Sequence, residues 1–255
     1  MDHTQLPRLF VDPATYYDAD YWTGRKRYRL SVDGGFTVRT YDPPAREWGG
    51  FSDVVRGIDF ACRFGRKGRV LDIGCGSGSL VAHFVRAGYD ARGIDVSDDA
   101  IANPAPGAEG RVTKHDLSLG PPGGQRDDIV TATDLLEHIY AHDAAAVVRG
   151  IVDLIQPGSQ SCGFFCIATA GASHEEFVHT RPDEPIPLER EWQAVSGHVN
   201  VRPHDYWVDL FESAGAFIDW RAMHRFAQFW AQDQSVGKFG SVVSWGPRFI
   251  LVVRT

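Results

Sequence analysis

The chain has 255 residues, of which 43% are hydrophobic, and its formal net charge is −7. This length suits one large α/β domain with additions. The acidic balance argues against a general nucleic-acid-binding protein, because such proteins need basic surfaces to neutralise phosphates. The sequence contains no apolar stretch long enough to cross a bilayer and no apolar signal segment near its N-terminus. We therefore expect a cytoplasmic protein without a membrane contact.

Residues 1–50 precede the predicted core and are rich in aromatic side chains. Two interpretations stay open for them: a cap that folds over a ligand and excludes water, or an extension that packs on the surface. Pro43 and Pro44 mark a break before residues 51–64, whose apolar side chains recur at helical intervals. We therefore place a boundary near residue 50, between an N-terminal cap or extension and a main domain over residues 51–255.

A short apolar run, Val70 to Ile73, ends in the alternating glycines Gly74, Gly76 and Gly78. Helical spacing begins at Ser79, so the pattern predicts a strand, a tight turn and a helix. Glycine permits positive φ angles and a close approach of a ligand, and the N-terminus of a helix attracts anionic groups. The alternative is an ordinary turn between a strand and a helix.

The residues around this turn bear on the kind of ligand. A dinucleotide fingerprint needs a third glycine where this chain has Ser79, and no Tyr-x-x-x-Lys pair of short-chain dehydrogenases occurs. Asp72, just before the turn, would repel a pyrophosphate but attract an amino group. A zwitterionic amino-acid ligand is therefore favoured over NAD. The stretch from Val70 to Gly78 resembles motif I of class I S-adenosylmethionine (SAM)-dependent methyltransferases.

The second predicted strand, residues 91–96, includes Asp95, which lies 23 residues after Asp72 (95 − 72 = 23). An acidic side chain at the end of this strand can accept two hydrogen bonds from a ribose diol. The alternative for Asp95 is a helix N-cap, although Asp98 and Asp99 follow and can serve as caps instead.

Two further stretches extend the resemblance. Asp116 follows a predicted third strand, where the family has an acidic residue that meets the adenine amino group; a turn cap is the alternative. After a fourth strand, residues 127–133, the hexapeptide from Asp134 to Ile139 resembles motif IV of small-molecule methyltransferases of the ubiquinone-biosynthesis type, which often contains Leu-Glu-His. A Leu-x-x-Pro-Gly turn at residues 154–158 resembles the same family.

The resemblance implies a Rossmann-like α/β fold: a doubly wound, seven-stranded and mostly parallel sheet with a final antiparallel strand. Residues 169–200 and 221–248 are expected as loop insertions. The resemblance also implies SAM as the cofactor and S-adenosylhomocysteine as the product. The residues expected to bind the cofactor are Asp72, Gly74, Cys75, Gly76, Asp95, Val96, Asp116, Leu117 and Thr133.

Methyl transfer to oxygen or nitrogen often needs a base, and histidine is the natural base near neutral pH. His138 is the first candidate, although it can also simply shape the pocket. His142 and His198 are further candidates, with His174 and His179 in the same long segment. The same histidines with Glu175 or Glu176 could bind a divalent metal, but their spacing is not diagnostic. We therefore expect no metal, and we expect the four cysteines to be reduced core thiols.

The sequence thus predicts a SAM-dependent methyltransferase whose acceptor is a small metabolite or natural product. Oxygen is the favoured acceptor atom because of the family and the available histidines. Methylation of carbon or nitrogen, a non-catalytic SAM-binding scaffold and an NAD-dependent enzyme stay open as alternatives. The partner is expected to be a small molecule rather than a nucleic acid, and the sequence does not determine an oligomeric state.

Overall fold

A computed structural model describes residues 19–22, 27–32, 35–40, 50–65, 67–123, 125–171, 175–178, 197–232 and 250–255. The strands are β1 Arg27–Val32, β2 Gly35–Thr40, β3 Arg69–Ile73, β4 Asp90–Asp95, β5 Val112–Lys114, β6 Ile129–Thr133, β7 Cys162–Cys166, β8 Phe177–Val178, β9 Asn200–Val201, β10 Phe217–Ile218 and β11 Ile250–Arg254. The helices are α1 Ala19–Trp22, α2 Phe51–Cys62, α3 Ser79–Arg86, α4 Asp98–Ala102, α5 Ala141–Leu154, α6 His204–Ser213 and α7 Trp220–Gln232.

Seven of these strands form one sheet in the order β10-β11-β7-β6-β3-β4-β5. The five strands from β7 to β5 run parallel, and β11 pairs antiparallel with both β7 and β10. The predicted fold class, a mostly parallel seven-stranded sheet with an antiparallel strand, is therefore confirmed. Strand β3 lies in the middle of the five parallel strands, where Ile73 is level with Ile94 of β4 and Ala132 of β6. The carboxyl ends of these parallel strands consequently meet at one edge of the sheet.

Helices cover both faces of the sheet, and its central strands are buried accordingly. Strands β7 and β11 are buried along their whole length, as is usual for strands covered on both faces. Residues 221–248, expected as a loop insertion, begin with helix α7, which packs against α2. Phe226 of α7 is only 1% exposed. An added Cβ at Gly57 of α2 would lie 2.6 Å from the Phe226 ring, so the missing side chain lets these helices approach closely.

The other expected insertion, residues 169–200, carries the short strand β8, which pairs with β9 at its far end. Residues 172–174 and 179–196, and with them His174 and His179, lie outside the described residues. Before the main domain, β1 and β2 form an antiparallel hairpin. Among the residues described above, no helix combines the length and apolar content that a membrane crossing requires.

Candidate functional site

The glycine turn after β3 has the conformation that only glycine adopts easily. Gly74 and Gly76 have φ angles of 67° and 54°, and α3 begins three residues later. An added Cβ at Gly74 would lie 2.8 Å from Cδ1 of Leu135, in the segment that follows β6. The turn is fastened to β4 because the backbone amides of Gly74 and Cys75 both donate to the carbonyl of Ile94, at 2.9 and 3.1 Å. The two stretches that resemble family motifs therefore pack directly together.

Asp95 connects the end of β4 to this turn. Its Oδ2 accepts a 2.8 Å hydrogen bond from the Gly76 amide, and its Oδ1 accepts one of 2.8 Å from the Ser97 amide. Burial raises the pKa of Asp95, and these backbone donors partly offset the rise. Ser97, and neither Asp95 nor Asp98, caps helix α4, because Ser97 Oγ accepts from the Ala100 amide at 3.2 Å. A carboxylate oxygen accepts more than one hydrogen bond, so Asp95 retains capacity toward a ligand.

Asp72 lies within β3 and is only 2% exposed. Its Oδ1 accepts a 2.7 Å hydrogen bond from the hydroxyl of Thr131 on the neighbouring strand β6. Burial raises the pKa of Asp72 to about 7; the Thr131 hydroxyl opposes the rise and the nearby Asp95 carboxyl adds to it. Burial also raises the pKa of the Cys75 thiol, which is a neutral side chain of the turn at neutral pH. An ammonium group beside Asp72 would restore its charged form.

Other residues expected to bind the cofactor follow the neighbouring strands. Val96 comes directly after β4, and Thr133 ends β6; both side chains are partly buried. Asp116 accepts hydrogen bonds from the amide and the hydroxyl of Ser118, at 2.9 and 2.7 Å, and so caps a 3-10 turn, Leu117–Leu119. The turn-capping alternative for Asp116 is thus present, and its contact with adenine stays a prediction, as does the contact of Leu117.

Trp22 of α1 lies over the glycine turn. Its indole Nε1 donates a 3.1 Å hydrogen bond to Ser97 Oγ. An added Cβ at Gly76 would lie 2.8 Å from Cη2 of the indole. Trp22 was one of many aromatic residues in the N-terminal segment, and nothing in their pattern distinguished it. Its position favours the interpretation of this segment as a cap, because a large ring covers the turn where the ligand is expected.

The segment after β6 supplies a second group of side chains. Asp134 turns the chain with a φ of 51°, an uncommon value for a residue other than glycine. A 3-10 turn, Leu136–His138, follows. Glu137 is fully buried, its Oε1 accepts a 3.1 Å hydrogen bond from the Ala168 amide, and its backbone carbonyl accepts from the Val199 amide. Burial raises the pKa of Glu137 to about 8, and the charge of Asp134 adds to the rise.

Two of the three predicted catalytic histidines lie together beside Glu137. The rings of His138 and His198 are 5.0 Å apart between centroids and nearly perpendicular, at 77°. His138 Nδ1 donates to the Gly197 carbonyl at 2.8 Å, so its Nε2 carries the lone pair. Burial lowers the pKa of His138 to about 4, and the Gly197 carbonyl only partly opposes this. Its imidazole is therefore neutral at neutral pH.

The third candidate, His142, lies on the first turn of α5 and is exposed. Its Nε2 is 3.1 Å from Oδ2 of Asp143, and its ring stacks on Tyr140. Glu137, His138 and His198 each offer a ligand atom, and these atoms lie within 4.8 Å of one another. Glu137 was not among the predicted site residues. The sequence signal that could have identified Glu137 is its charge next to His138, within the hexapeptide that resembles motif IV.

A cleft of about 510 Å³ opens near this edge of the sheet. It lies among the loop after β7 and the helices α6 and α7. The residues that line it include Ala170, Gly171, His204, Trp220, Met223 and His224. Because Ala170 is two residues beyond Ala168, whose amide binds Glu137, the cleft begins close to the acidic and histidine side chains.

Comparisons with known proteins agree with this architecture. A family profile described as "Methyltransferase domain" matches residues 50–218. A ubiquinone biosynthesis O-methyltransferase of Ralstonia nicotianae is 36% identical over 99 residues, which cover 35% of this chain and 40% of that protein. The same enzyme of Methylococcus capsulatus is 31% identical over 126 residues, covering 43% and 51%. The matched segments thus span about half or less of these relatives.

A solved structure shares the fold at low sequence identity. The [4+2]-cyclase SpnF is 19% identical, with a TM-score of 0.50, and the match covers 80% of this chain and 81% of that one. At this identity the likeness concerns the fold alone. Since that neighbour is described as a cyclase, the activity has to be argued from the site.

Proposed function

The chain belongs to the methyltransferase-domain family, and we propose that it is a SAM-dependent methyltransferase that methylates an oxygen atom of a small molecule. The observation that carries this proposal is the placement of two groups at one edge of the sheet. The glycine turn and Asp95 form one group, and the His138–His198 pair forms the other. Leu135 packs against Gly74 and joins them. A cofactor in the first group therefore presents its reactive end toward the second.

The residues of the first group suit this cofactor. When bound, SAM supplies an electrophilic methyl group attached to a sulfonium. Asp95 accepts hydrogen bonds from the ribose hydroxyls while the Gly76 and Ser97 amides hold its carboxylate in place. Asp72 pairs with the amino group, which favours the ionised carboxylate despite its burial. Trp22 covers the turn and excludes water from it.

The residues of the second group act on the acceptor. His138 and His198 orient the acceptor hydroxyl, and an imidazole that is neutral at pH 7 can accept its hydrogen bond. A base whose pKa is about 4 binds a proton weakly, so we assign His138 chiefly to orienting the hydroxyl. His198, whose ring lies 5.0 Å from that of His138, is the candidate that we assign as proton acceptor. His142, exposed and paired with Asp143, is the weakest of the three candidates.

The acceptor class follows from the cleft and from the relatives. A cleft of about 510 Å³ falls within the usual range of about 300–1,000 Å³ for small-molecule sites. Its apolar residues, including Trp220 and Met223, suit a ring, and its histidines suit hydroxyl groups. The relatives are O-methyltransferases of ubiquinone biosynthesis. We therefore propose a phenolic or catecholic acceptor.

The test combines binding with transfer. Calorimetric titration with SAM and with S-adenosylhomocysteine measures cofactor binding at the first group. Methyl transfer at the second group is measured by incubation with methyl-labelled SAM and matched panels of phenols, catechols and aromatic amines, followed by mass spectrometry. We expect binding of both ligands and label on oxygen. Label on nitrogen or carbon, or transfer only to RNA, would overturn the proposed acceptor class, and folded protein that binds neither ligand would overturn the cofactor assignment.

A further inference from the structure

Two of the four cysteines meet in the core, at the amino ends of the parallel strands and thus opposite the candidate site. Cys62 is the last residue of α2, and Cys162 is the first residue of β7. Their Sγ atoms are 3.3 Å apart, and a hydrogen bond joins the two thiols. An approach of about 1.3 Å would bring the sulfur atoms to bonding distance, which is about 2.05 Å.

Contacts on both sides of this cysteine pair hold the two segments against each other. The Gly65 amide donates a 2.9 Å hydrogen bond to Oε1 of Gln160. These two residues lie three positions after Cys62 and two positions before Cys162. The Cys162 amide donates to the carbonyl of Asp128 at 2.9 Å, which fixes its backbone on the neighbouring chain. The approach of the two thiols therefore follows from the packing of their segments and not from one side-chain rotamer.

The surroundings of the two thiols determine how they can react. Cys162 is fully buried, and Cys62 is 6% exposed. The hydrogen bond with Cys62 and burial raise the pKa of the Cys162 thiol, so Cys162 is a neutral thiol at neutral pH. Because the thiolate is the reactive form of cysteine, we expect slow oxidation. Burial also favours a small oxidant such as a peroxide over a bulky one such as a peptide disulfide.

We propose that Cys62 and Cys162 are a site of oxidative modification, at which a peroxide converts the two thiols into a disulfide that fastens α2 to β7. Cys62, the more exposed, reacts first: its sulfur takes a hydroxyl group as the oxygen–oxygen bond of the peroxide breaks, and water leaves with the thiol proton. The Cys162 sulfur then attacks the Cys62 sulfur. The sulfur–oxygen bond breaks, and the hydroxide leaves as water with the Cys162 proton. Two thiols and one hydrogen peroxide thus give one disulfide and two waters.

The disulfide would close a loop of the chain that contains the candidate cofactor site. Residues 62 and 162 are 100 positions apart (162 − 62 = 100), and every residue expected to bind the cofactor, from Asp72 to Thr133, lies between them. A disulfide restricts the unfolded chain, and the restriction grows with the length of the closed loop. We therefore expect the disulfide to stabilise this half of the fold without changing the site at the opposite ends of the strands. This differs from the expectation that all four cysteines stay reduced.

The modification can be measured on the full chain by mass spectrometry. The reduced protein is incubated with hydrogen peroxide, the remaining thiols are alkylated, and the intact mass and a non-reduced peptide digest are recorded. We expect the loss of two hydrogen atoms, a peptide pair that joins Cys62 to Cys162, and reversal by dithiothreitol. Cys166→Ala, the matched control at the other end of β7, should form the same crosslink. Cys62→Ala and Cys162→Ala should form none.

Urea denaturation of the reduced and oxidised chains measures the effect on stability. The oxidised natural chain should unfold at a higher urea concentration than the reduced chain, whereas the same treatment should not raise the midpoint of Cys62→Ala. Calorimetric titration should give both forms of the natural chain the same affinity for S-adenosylhomocysteine. Failure of both forms to bind this ligand would contradict the proposed cofactor and leave the crosslink result standing.

Three results would overturn the proposal. The natural chain could keep four alkylatable thiols, gain oxygen atoms without a crosslink, or join a different pair of cysteines. If neither alanine variant folds, the crosslinked peptides of the natural chain and of Cys166→Ala still decide between these outcomes. Equal urea midpoints for the reduced and oxidised natural chains would overturn the stabilising role of the disulfide.

Discussion

The backbone amide of Gly76 donates a 2.8 Å hydrogen bond to Oδ2 of Asp95. This contact joins the turn after one strand to the end of the next, so the residue predicted to bind the ribose also holds the glycine turn in shape. A substitution of Asp95 is therefore expected to affect both the ligand and the turn that receives it.

Replacing Asp95 with alanine is expected to weaken binding of S-adenosylhomocysteine by about 1–3 kcal/mol, because the variant loses hydrogen bonds to a charged acceptor. Calorimetric titration measures this change. Asp98→Asn is the matched control: Asp98 is an exposed neighbour that pairs with Lys114. Equal affinities for the natural chain and the Asp95→Ala variant would exclude Asp95 from the cofactor site.

Gly76→Ala is expected to destabilise the fold and weaken cofactor binding. The φ of 54° costs a side chain about 1–2 kcal/mol, and the new methyl group would also meet the indole of Trp22. Gly110→Ala is the control, because Gly110 has a φ of 70° with nothing within 4 Å of the added Cβ. In chemical denaturation, Gly76→Ala should lose more stability than Gly110→Ala. Adding Trp22→Ala to Gly76→Ala should restore only the part of the lost stability that comes from the contact with the indole.

Cofactor binding is expected to release a proton near neutral pH. The pKa of Asp72, about 7 in the folded chain, is far above its value of about 3.9 in an unfolded chain. The raised pKa means that the neutral carboxyl favours the folded state, so this contribution is complete below about pH 4 and is lost as the pH rises through about 7. An ammonium group of the ligand reverses this preference by drawing Asp72 into its charged form.

Affinity for S-adenosylhomocysteine should therefore rise between about pH 6 and pH 8. Calorimetry in buffers of different ionisation enthalpy measures the released proton. Asp72→Asn should remove the release, whereas Asp90→Asn, at the exposed start of β4, should keep it. A natural chain that binds the ligand without any proton release near pH 7 would contradict the pairing of Asp72 with the amino group.

Phe226→Ala is expected to cost about 3–5 kcal/mol of stability, because it removes a large buried ring from the contact between α7 and α2. Phe217→Ala is the control, since Phe217 is 57% exposed, and exposed substitutions usually change stability by no more than about 0.5 kcal/mol. Thermal and chemical denaturation measure both. A loss for Phe226→Ala as small as the one expected for Phe217→Ala would show that α7 contributes little to the core.

The central sheet could be predicted because local patterns and tertiary packing agree there. The helix predicted to begin at Ser79 does begin there and runs to Arg86. The apolar run from Val70 to Ile73 is a buried strand, and three glycines with positive φ follow it. A parallel strand buried on both faces needs a continuous apolar run, and a tight turn needs glycine. Both features can therefore be recognised in the sequence.

Other features depend on contacts between distant residues and could not be predicted in this way. Helix α7 follows a strand of two residues, and its apolar residues were expected inside a loop insertion. The approach of Trp22 to Gly76 joins residues 54 positions apart (76 − 22 = 54). His138 and His198 meet because the chain returns to the same edge after a long segment. The hydrophobic periodicity of a single segment does not predict such a long-range contact.

A crystal structure of the chain with S-adenosylhomocysteine tests the central claim most directly. We predict that the ribose hydroxyls lie within hydrogen-bond distance of Asp95 and that the sulfur points toward His138 and His198. Any histidine that accepts the acceptor proton should lie about 3–4 Å from the acceptor oxygen, directly or through one water. A ligand bound away from Asp95, or a sulfur that faces a broad basic groove instead of the histidine pair, would contradict methyl transfer to a small molecule at this site.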